Sequence, residues 1–301
     1  MFRYFNLIPS IPVLFTVFYL AVAPVRAELV NLTYKGLGVS ANLQLAAGKS
    51  LADGVALITH GTLGYGGMEI IAAMQNLLKE RGMNSLAITL SLGLDNRKGM
   101  YDCAVTHTHK HTDALDEIGF WLGWLKGRGA GPVMLIGHSR GGNQTAWFAA
   151  ERDEPIISRV VLVSPARYNM KEIAAAYRRN YKTDLAPLYD KAAKLVKTGR
   201  GDAVMKGVGF LYCRNADVTA ATFENYYNDD IRKDTPSILS RIKKPVLVVV
   251  GSDDRVVRGL PGAVKKSGSS AKLVVVDGAG HFFRDLFAED MADAIAEFAG
   301  N

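Results

Sequence analysis

From about residue 54 onward, short apolar runs alternate with stretches of helical periodicity, and this alternation restricts the fold more than any other feature. Val55–Thr59, Ser85–Leu90, Val133–Ile136, Arg159–Val163, Pro245–Val250 and Lys272–Val276 read as strands that are apolar along their whole length. Between them, Glu69–Arg81 places Ile70, Met74, Leu77 and Leu78 on one helical face. Asp113–Lys126 does the same with Leu115, Ile118, Leu122 and Leu125, and Asp285–Ala299 with Phe287, Met291, Ile295 and Phe298. A strand without a polar face must be covered on both sides, and the intervening helices supply the cover. The expectation is an α/β fold with a mostly parallel central sheet and helices on both faces, opened by an antiparallel pair over Glu28–Leu45.

A chain of 301 residues with 49% apolar composition fits one substantial domain, here 28–301. The segment 165–240 interrupts the alternation. It is rich in charge and helix formers and holds seven of the twelve tyrosines, so it reads as a helical cap insertion over the sheet's edge. A peripheral helical decoration is the alternative.

Residues 1–27 read as an export signal. Arg3 gives a positive start, Val13–Ala23 an apolar stretch, and Val25-Arg26-Ala27 a small-x-small cleavage site. The apolar run is short and bounded by Pro12 and Pro24, which disfavours a membrane span, and no cysteine follows it to direct lipid attachment. The expected location is periplasmic or secreted, with no stable membrane span after cleavage. The net charge of +7 falls to +5 once Arg3 and Arg26 are removed, and the remaining excess is scattered rather than striped. That argues against a nucleic-acid partner.

The chemistry starts at Val133-Met134-Leu135-Ile136-Gly137-His138-Ser139-Arg140-Gly141-Gly142. A strand followed at once by a helix (here Asn143–Arg152, with Ala146, Trp147 and Ala150 at helical spacing) forces a tight turn. Glycines two residues either side of Ser139 remove the Cβ atoms that would collide there, and the serine is pushed outward. A serine attacks only if a base takes its proton and an anion orients that base. Gly251-Ser252-Asp253-Asp254 and Gly278-Ala279-Gly280-His281 each follow an apolar strand, placing acids and a histidine in loops on the same sheet edge as Ser139. His60-Gly61-Thr62-Leu63-Gly64-Tyr65-Gly66-Gly67 offers backbone donors for an oxyanion, with the amide of Arg140 as the second donor.

With these motifs the chain resembles the α/β-hydrolase superfamily, near its capped esterase, lysophospholipase and serine-aminopeptidase-like members. The likeness spans about residues 54–300 apart from the cap. It implies Ser139 as nucleophile, Asp254 as acid, His281 as base and the Thr62 amide as the first oxyanion donor. The G-x-x-D spacing from Gly251 favours Asp254 over Asp253, which is left to bond local backbone in the turn. Epoxide-hydrolase and dehalogenase relatives carry aspartate in place of the serine, so Ser139 argues against those reactions.

Two features stay open. Cys103 and Cys213 either form one bridge between the loop before Asp113 and the cap, or remain two buried thiols. His107, His109 and His111 would share one face of a strand, as metal ligands do, or form a polar lead-in to the Asp113 helix, or sit at the rim of the site. No metal and no cofactor is assigned. The function expected is an exported serine hydrolase acting on a small-molecule ester or related acyl bond. A peptidase for short peptides is the alternative within enzymes, and a non-catalytic binding protein the alternative outside them.

Overall fold

The computed structural model describes residues 1–2 and 27–300. The export signal expected over 1–27 therefore lies almost wholly outside the described residues. Among those described, no helix is long and apolar enough to cross a membrane.

The chain opens with an antiparallel hairpin, β1 (Glu28–Tyr34) and β2 (Leu37–Gln44), and then alternates as expected. The order is β3 (Val55–Thr59), α1 (Glu69–Glu80), β4 (Ser85–Thr89), α2 (Asp113–Gly127), β5 (Val133–His138), α3 (Arg140–Glu151) and β6 (Ile157–Val163). After an insertion come β9 (Val246–Gly251), α7 (Leu260–Lys266), β10 (Lys272–Val276) and α8 (Phe287–Ala299); the insertion holds the elements numbered between. These strands form one eight-stranded sheet in the order β1-β2-β4-β3-β5-β6-β9-β10. Every pairing from β4 to β10 is parallel, and β1–β2 and β2–β4 are antiparallel.

The sheet is covered on both faces because its strands are apolar on both. Ala56, Ile58, Ile136, Val161 and Val249 pack against Ile71, Met74 and Leu78 of α1 and Met291 and Ile295 of α8. The alternate residues Leu57, Leu135, Val160, Leu162 and Val248 face Trp121 and Leu125 of α2 and Trp147 and Phe148 of α3. Complete burial of these large side chains is the main stabilising term, at roughly 1.5–3 kcal/mol for each Leu, Ile, Val or Phe.

The segment between β6 and β9 differs from the wholly helical expectation. It contains α4 (Met170–Tyr181), α5 (Leu185–Lys197) and α6 (Ala220–Tyr227), but also a two-stranded antiparallel sheet of β7 (Val204–Phe210) and β8 (Cys213–Thr219). Met205, Val208 and Phe210 are buried while Val204, Lys206 and Gly207 are exposed. The period of two is broken by register shifts at Val208 and Phe210, which hides it in the sequence. Leu211 and Tyr212 form the tip, with Leu211 in left-handed backbone geometry (φ 56°). Cys213 is disulfide-bonded to Cys103, so the tip is tied to the loop before α2 across 110 residues of chain.

Candidate active site

The site is built where β5 stops. Ser139 follows β5 directly, and α3 begins at the next residue, three residues earlier than its periodicity suggests. Its backbone is strained, at φ 56° and ψ −121°. That turn depends on its glycines: a Cβ on Gly141 would collide with the carbonyl oxygen of His60 and come within 2.6 Å of that of Thr59. The amide of Ser139 donates to Val163 O (2.9 Å), and its carbonyl accepts from Ala166 and Asn143. The serine is thus fixed to β6, to the insertion and to its own helix.

His281 and Asp254 reach the same point from the ends of β10 and β9. His281 Nδ1 lies 2.8 Å from Asp254 Oδ2, and its Nε2 lies 2.9 Å from Ser139 Oγ. A carboxylate accepts only, so Nδ1 carries the proton and donates it to Asp254. The bare Nε2 then accepts from the serine hydroxyl. Asp254 Oδ1 is occupied separately, accepting from the amides of Val256 (2.8 Å) and Val257 (3.1 Å). Burial pushes the Asp254 carboxyl up, but the hydrogen bond and charge of His281 and the Val257 amide outweigh it and hold the group below its ordinary value. Asp253, expected to bond local backbone, is exposed, and among the described residues its side chain makes no hydrogen bond; Asp254 bonds both the turn amides and His281.

The loop after β3 lies against the serine from the other side. Thr62 Oγ1 accepts from Arg140 Nε at 3.0 Å, bringing the two expected oxyanion donors together. Among the described residues neither the Thr62 amide nor the Arg140 amide makes a hydrogen bond, leaving both free to donate. Behind them, the buried Arg97 fixes the loop. It donates to the carbonyls of Leu90, Gly99 and Gly64, and its Nη2 is 3.2 Å from His60 Nε2. His60 donates through Nδ1 to Gly61 O (2.8 Å) and accepts at Nε2 from the Leu90 amide. Burial, then the charge of Arg97, lower its pKa to about 3, so the ring is neutral. His138 donates through Nε2 to the carbonyl of His281 (3.0 Å), holding the loop that carries that histidine. Sequence pattern alone shows no task for Arg97, His60 or His138, because only the fold supplies their partners.

A cavity of about 320 Å³ opens over Ser139 and His281, walled by Met68, Met100, Leu211, Tyr212, Val256 and Phe282. Four of these are exposed apolar or aromatic residues: Met100, Tyr212, Val256 and Phe282. The hairpin tip overhangs the site, with Tyr212 Oη 3.4 Å from the Thr62 carbonyl oxygen.

His107, His109 and His111 do share one face, but of an extended segment, and all three are buried. His107 pairs with β8 at Val218 and stacks on Tyr101 at 4.5 Å. His107 Nδ1 meets His109 Nε2 (3.3 Å), His109 Nδ1 meets Tyr226 Oη (2.9 Å), and His111 Nε2 meets Asn143 Oδ1 (2.9 Å). Among the described residues no group of His, Cys, Asp or Glu is arranged to hold a metal. The histidines instead join the loop to the insertion and to α3.

The model of the alpha/beta hydrolase family matches residues 51–298. Among solved structures, Est1E from Butyrivibrio proteoclasticus with ferulic acid bound is 21% identical, over 90% of this chain and 97% of that one, with a TM-score of 0.66. A soluble variant of monoglyceride lipase from Saccharomyces cerevisiae is 16% identical over 93% and 96%, with a TM-score of 0.63. A monoacylglycerol lipase from Paleococcus ferrophilus is 18% identical over 86% and 97%, with a TM-score of 0.60. At these identities the likeness establishes the architecture. Among curated proteins none matches the chain in sequence.

Proposed function

The chain belongs to the alpha/beta hydrolase family, and from that premise we propose that it is a serine hydrolase cleaving a carboxylic ester through an acyl-enzyme. The observation that carries this reading is the continuous hydrogen-bonded path from Asp254 through His281 to Ser139. In the first step His281 Nε2 takes the hydroxyl proton as Ser139 Oγ bonds to the substrate carbonyl carbon. The negative charge that collects on the carbonyl oxygen is met by the amides of Thr62 and Arg140. His281 then passes its proton to the departing alcohol oxygen as the carbon–oxygen bond breaks, leaving the acyl group on Ser139. Water repeats the sequence and releases the acid. Asp254 stays ionised throughout, holding the imidazole in the tautomer that can accept from serine. No step draws on a cofactor or metal.

The apolar mouth formed by Met100, Tyr212, Val256 and Phe282 suits a small-molecule ester with an apolar portion. The esterases and monoacylglycerol lipases among the fold relatives favour an ester over an amide. Export to the periplasm or beyond is part of the same reading, supported by the leader-like 1–27 segment and by the disulfide, which persists in oxidising compartments. It argues against acyl-CoA, an intracellular thioester. A panel of p-nitrophenyl esters beside aminoacyl anilides tests the reading. Turnover of esters that disappears in Ser139→Ala supports it; turnover confined to anilides makes the protein a peptidase, and none of either makes it a binding protein.

A further inference from the structure

A second cavity of about 190 Å³ adjoins the first, and the two share Arg140 and Leu211 as walls. It is lined by the basic residues Arg140, Arg167 and Lys233 and by no acidic residue. Arg167 is neutralised by Asp234 at 2.7 Å. Arg140 is not neutralised. Its Nε bonds Thr62, its Nη1 meets His111 Nδ1 at 3.3 Å, its plane sits 5.2 Å from the Tyr226 ring, and among the described residues it has no carboxylate partner. Its Nη2 group makes no hydrogen bond there. Burial, followed by the charge of Arg140, lowers the Lys233 ammonium to about 7 against the opposing pull of the Asp230, Glu224 and Asp229 carboxylates, and its Nζ donates to Asn228 O and Oδ1. Five tyrosine rings contribute to the remaining walls, beside small and apolar residues such as Ala166, Ile173 and Ala176. Tyr168, Tyr177 and Tyr181 direct their hydroxyls to the backbone carbonyls of Asn228, Gly209 and Leu211, which locks the ring positions.

We propose that this inner cavity is the acyl subsite and that it selects acyl groups ending in a carboxylate, held by the Arg140 guanidinium with Lys233 beside it. The side of the substrate follows from the proposed reaction, on which this inference rests. The leaving oxygen must face His281 to receive its proton, and His281 lines only the outer cavity. The space beyond Arg140 is left to the acyl group. The residue whose amide serves the oxyanion would thus read, through its side chain, the far end of the same acyl group. The natural substrate class is then a monoester of a short dicarboxylic acid.

The test compares p-nitrophenyl hydrogen glutarate with p-nitrophenyl pentanoate, esters of similar length that differ in the terminal carboxylate. The wild type should favour the glutarate. Arg140→Gln, which keeps the backbone amide, should lower kcat/KM for it about tenfold to hundredfold, the range of a hydrogen bond to a charged group. The pentanoate shares any loss from breaking the Arg140–Thr62 contact beside the oxyanion donors, so the readout is the glutarate-to-pentanoate ratio, which should itself fall at least about tenfold. Lys233→Gln should shift the same ratio in the same direction by a smaller factor, and serves should Arg140→Gln misfold. Equal losses on both esters, or no glutarate preference in the wild type, would overturn the assignment. Calorimetric binding of free glutarate to Ser139→Ala separates this inference from the reaction it rests on. Binding that is lost in Ser139→Ala/Arg140→Gln supports the subsite even if no ester is cleaved, whereas no binding by Ser139→Ala overturns it even if esters are cleaved.

Discussion

Replacing Asp254 with Asn changes one atom and sets two sets of partners against each other. In the native site Oδ1 accepts from the amides of Val256 and Val257 while Oδ2 accepts from His281 Nδ1. An asparagine has one acceptor oxygen, so it can serve only one side. If the oxygen faced His281, the amide NH₂ would point at two backbone N–H donors and leave both unpaired, at roughly 1–3 kcal/mol each. The favoured orientation keeps the oxygen on Val256 and Val257 and turns NH₂ toward His281. Nδ1 must then accept, the ring proton moves to Nε2, and His281 can no longer take the proton of Ser139. The expected loss in kcat is about 10⁴-fold, or about 5.4 kcal/mol of transition-state stabilisation, as for triads in general. The turn keeps its hydrogen bonds, so the variant should stay folded. The assay is kcat on p-nitrophenyl butanoate, with circular dichroism and Tm measured on the same samples and Asp253→Asn as the control. Asp253, exposed and without a side-chain hydrogen bond among the described residues, should tolerate that change with activity within about twofold and stability within about 0.5 kcal/mol. A folded Asp254→Asn within tenfold of wild type, or a crippled Asp253→Asn, would refute the reasoning.

Gly141→Ala should destabilise the protein by at least the roughly 1–3 kcal/mol of ordinary overpacking, since the new methyl meets backbone oxygens of β3 and its following residue, which cannot move aside; an unchanged urea midpoint would contradict this. Cys103→Ser, which opens a link spanning 110 residues, should cost about 2–4 kcal/mol and raise KM, because Leu211 and Tyr212 next to Cys213 wall the cavity over Ser139. Urea unfolding with and without reductant, run beside ester kinetics, checks both effects, and equal stability with equal KM would speak against them. Acid should weaken the fold. His60 and His138 are lowered to about 3 and His107 to about 4, in each case chiefly by burial, so below about pH 6.5 the unfolded chain takes up protons that the folded chain refuses. Stability is therefore present above pH 6.5 and is lost as pH falls toward 4, by up to about 1.4 kcal/mol per pH unit for each such ring. Urea midpoints that hold steady from pH 7 to pH 5 would count against neutral buried rings.

The parts legible in the sequence are those set by local pattern. Continuous apolar runs gave the parallel sheet, because such runs are stable only when both faces are covered. Ser139, Asp254 and His281 could be placed together because each follows such a run, and parallel strands bring their C-terminal ends to one edge. The β7–β8 hairpin was not legible, since glycines and register shifts break the alternation that marks a strand. The histidines at 107, 109 and 111 look like polar surface because their neighbours are threonine and lysine. What buries them (Tyr101, Phe210, Tyr226 and Trp147) arrives mostly from distant segments. Arg97 and Lys233 lie in polar stretches where a basic residue ordinarily faces solvent, and only tertiary packing makes them buried cations. The double task of Asp254 depends on a turn geometry that spacing alone does not distinguish from one built on Asp253.

The central claim is that Ser139 is a nucleophile made reactive by His281. Intact-protein and peptide mass spectrometry after brief exposure to a fluorophosphonate measures this directly, without knowledge of the substrate. The account predicts one phosphonyl adduct per chain, located on Ser139, absent from Ser139→Ala and formed far more slowly in His281→Ala. An adduct on another residue, a folded wild type that does not react, or full-rate labelling in His281→Ala would contradict it.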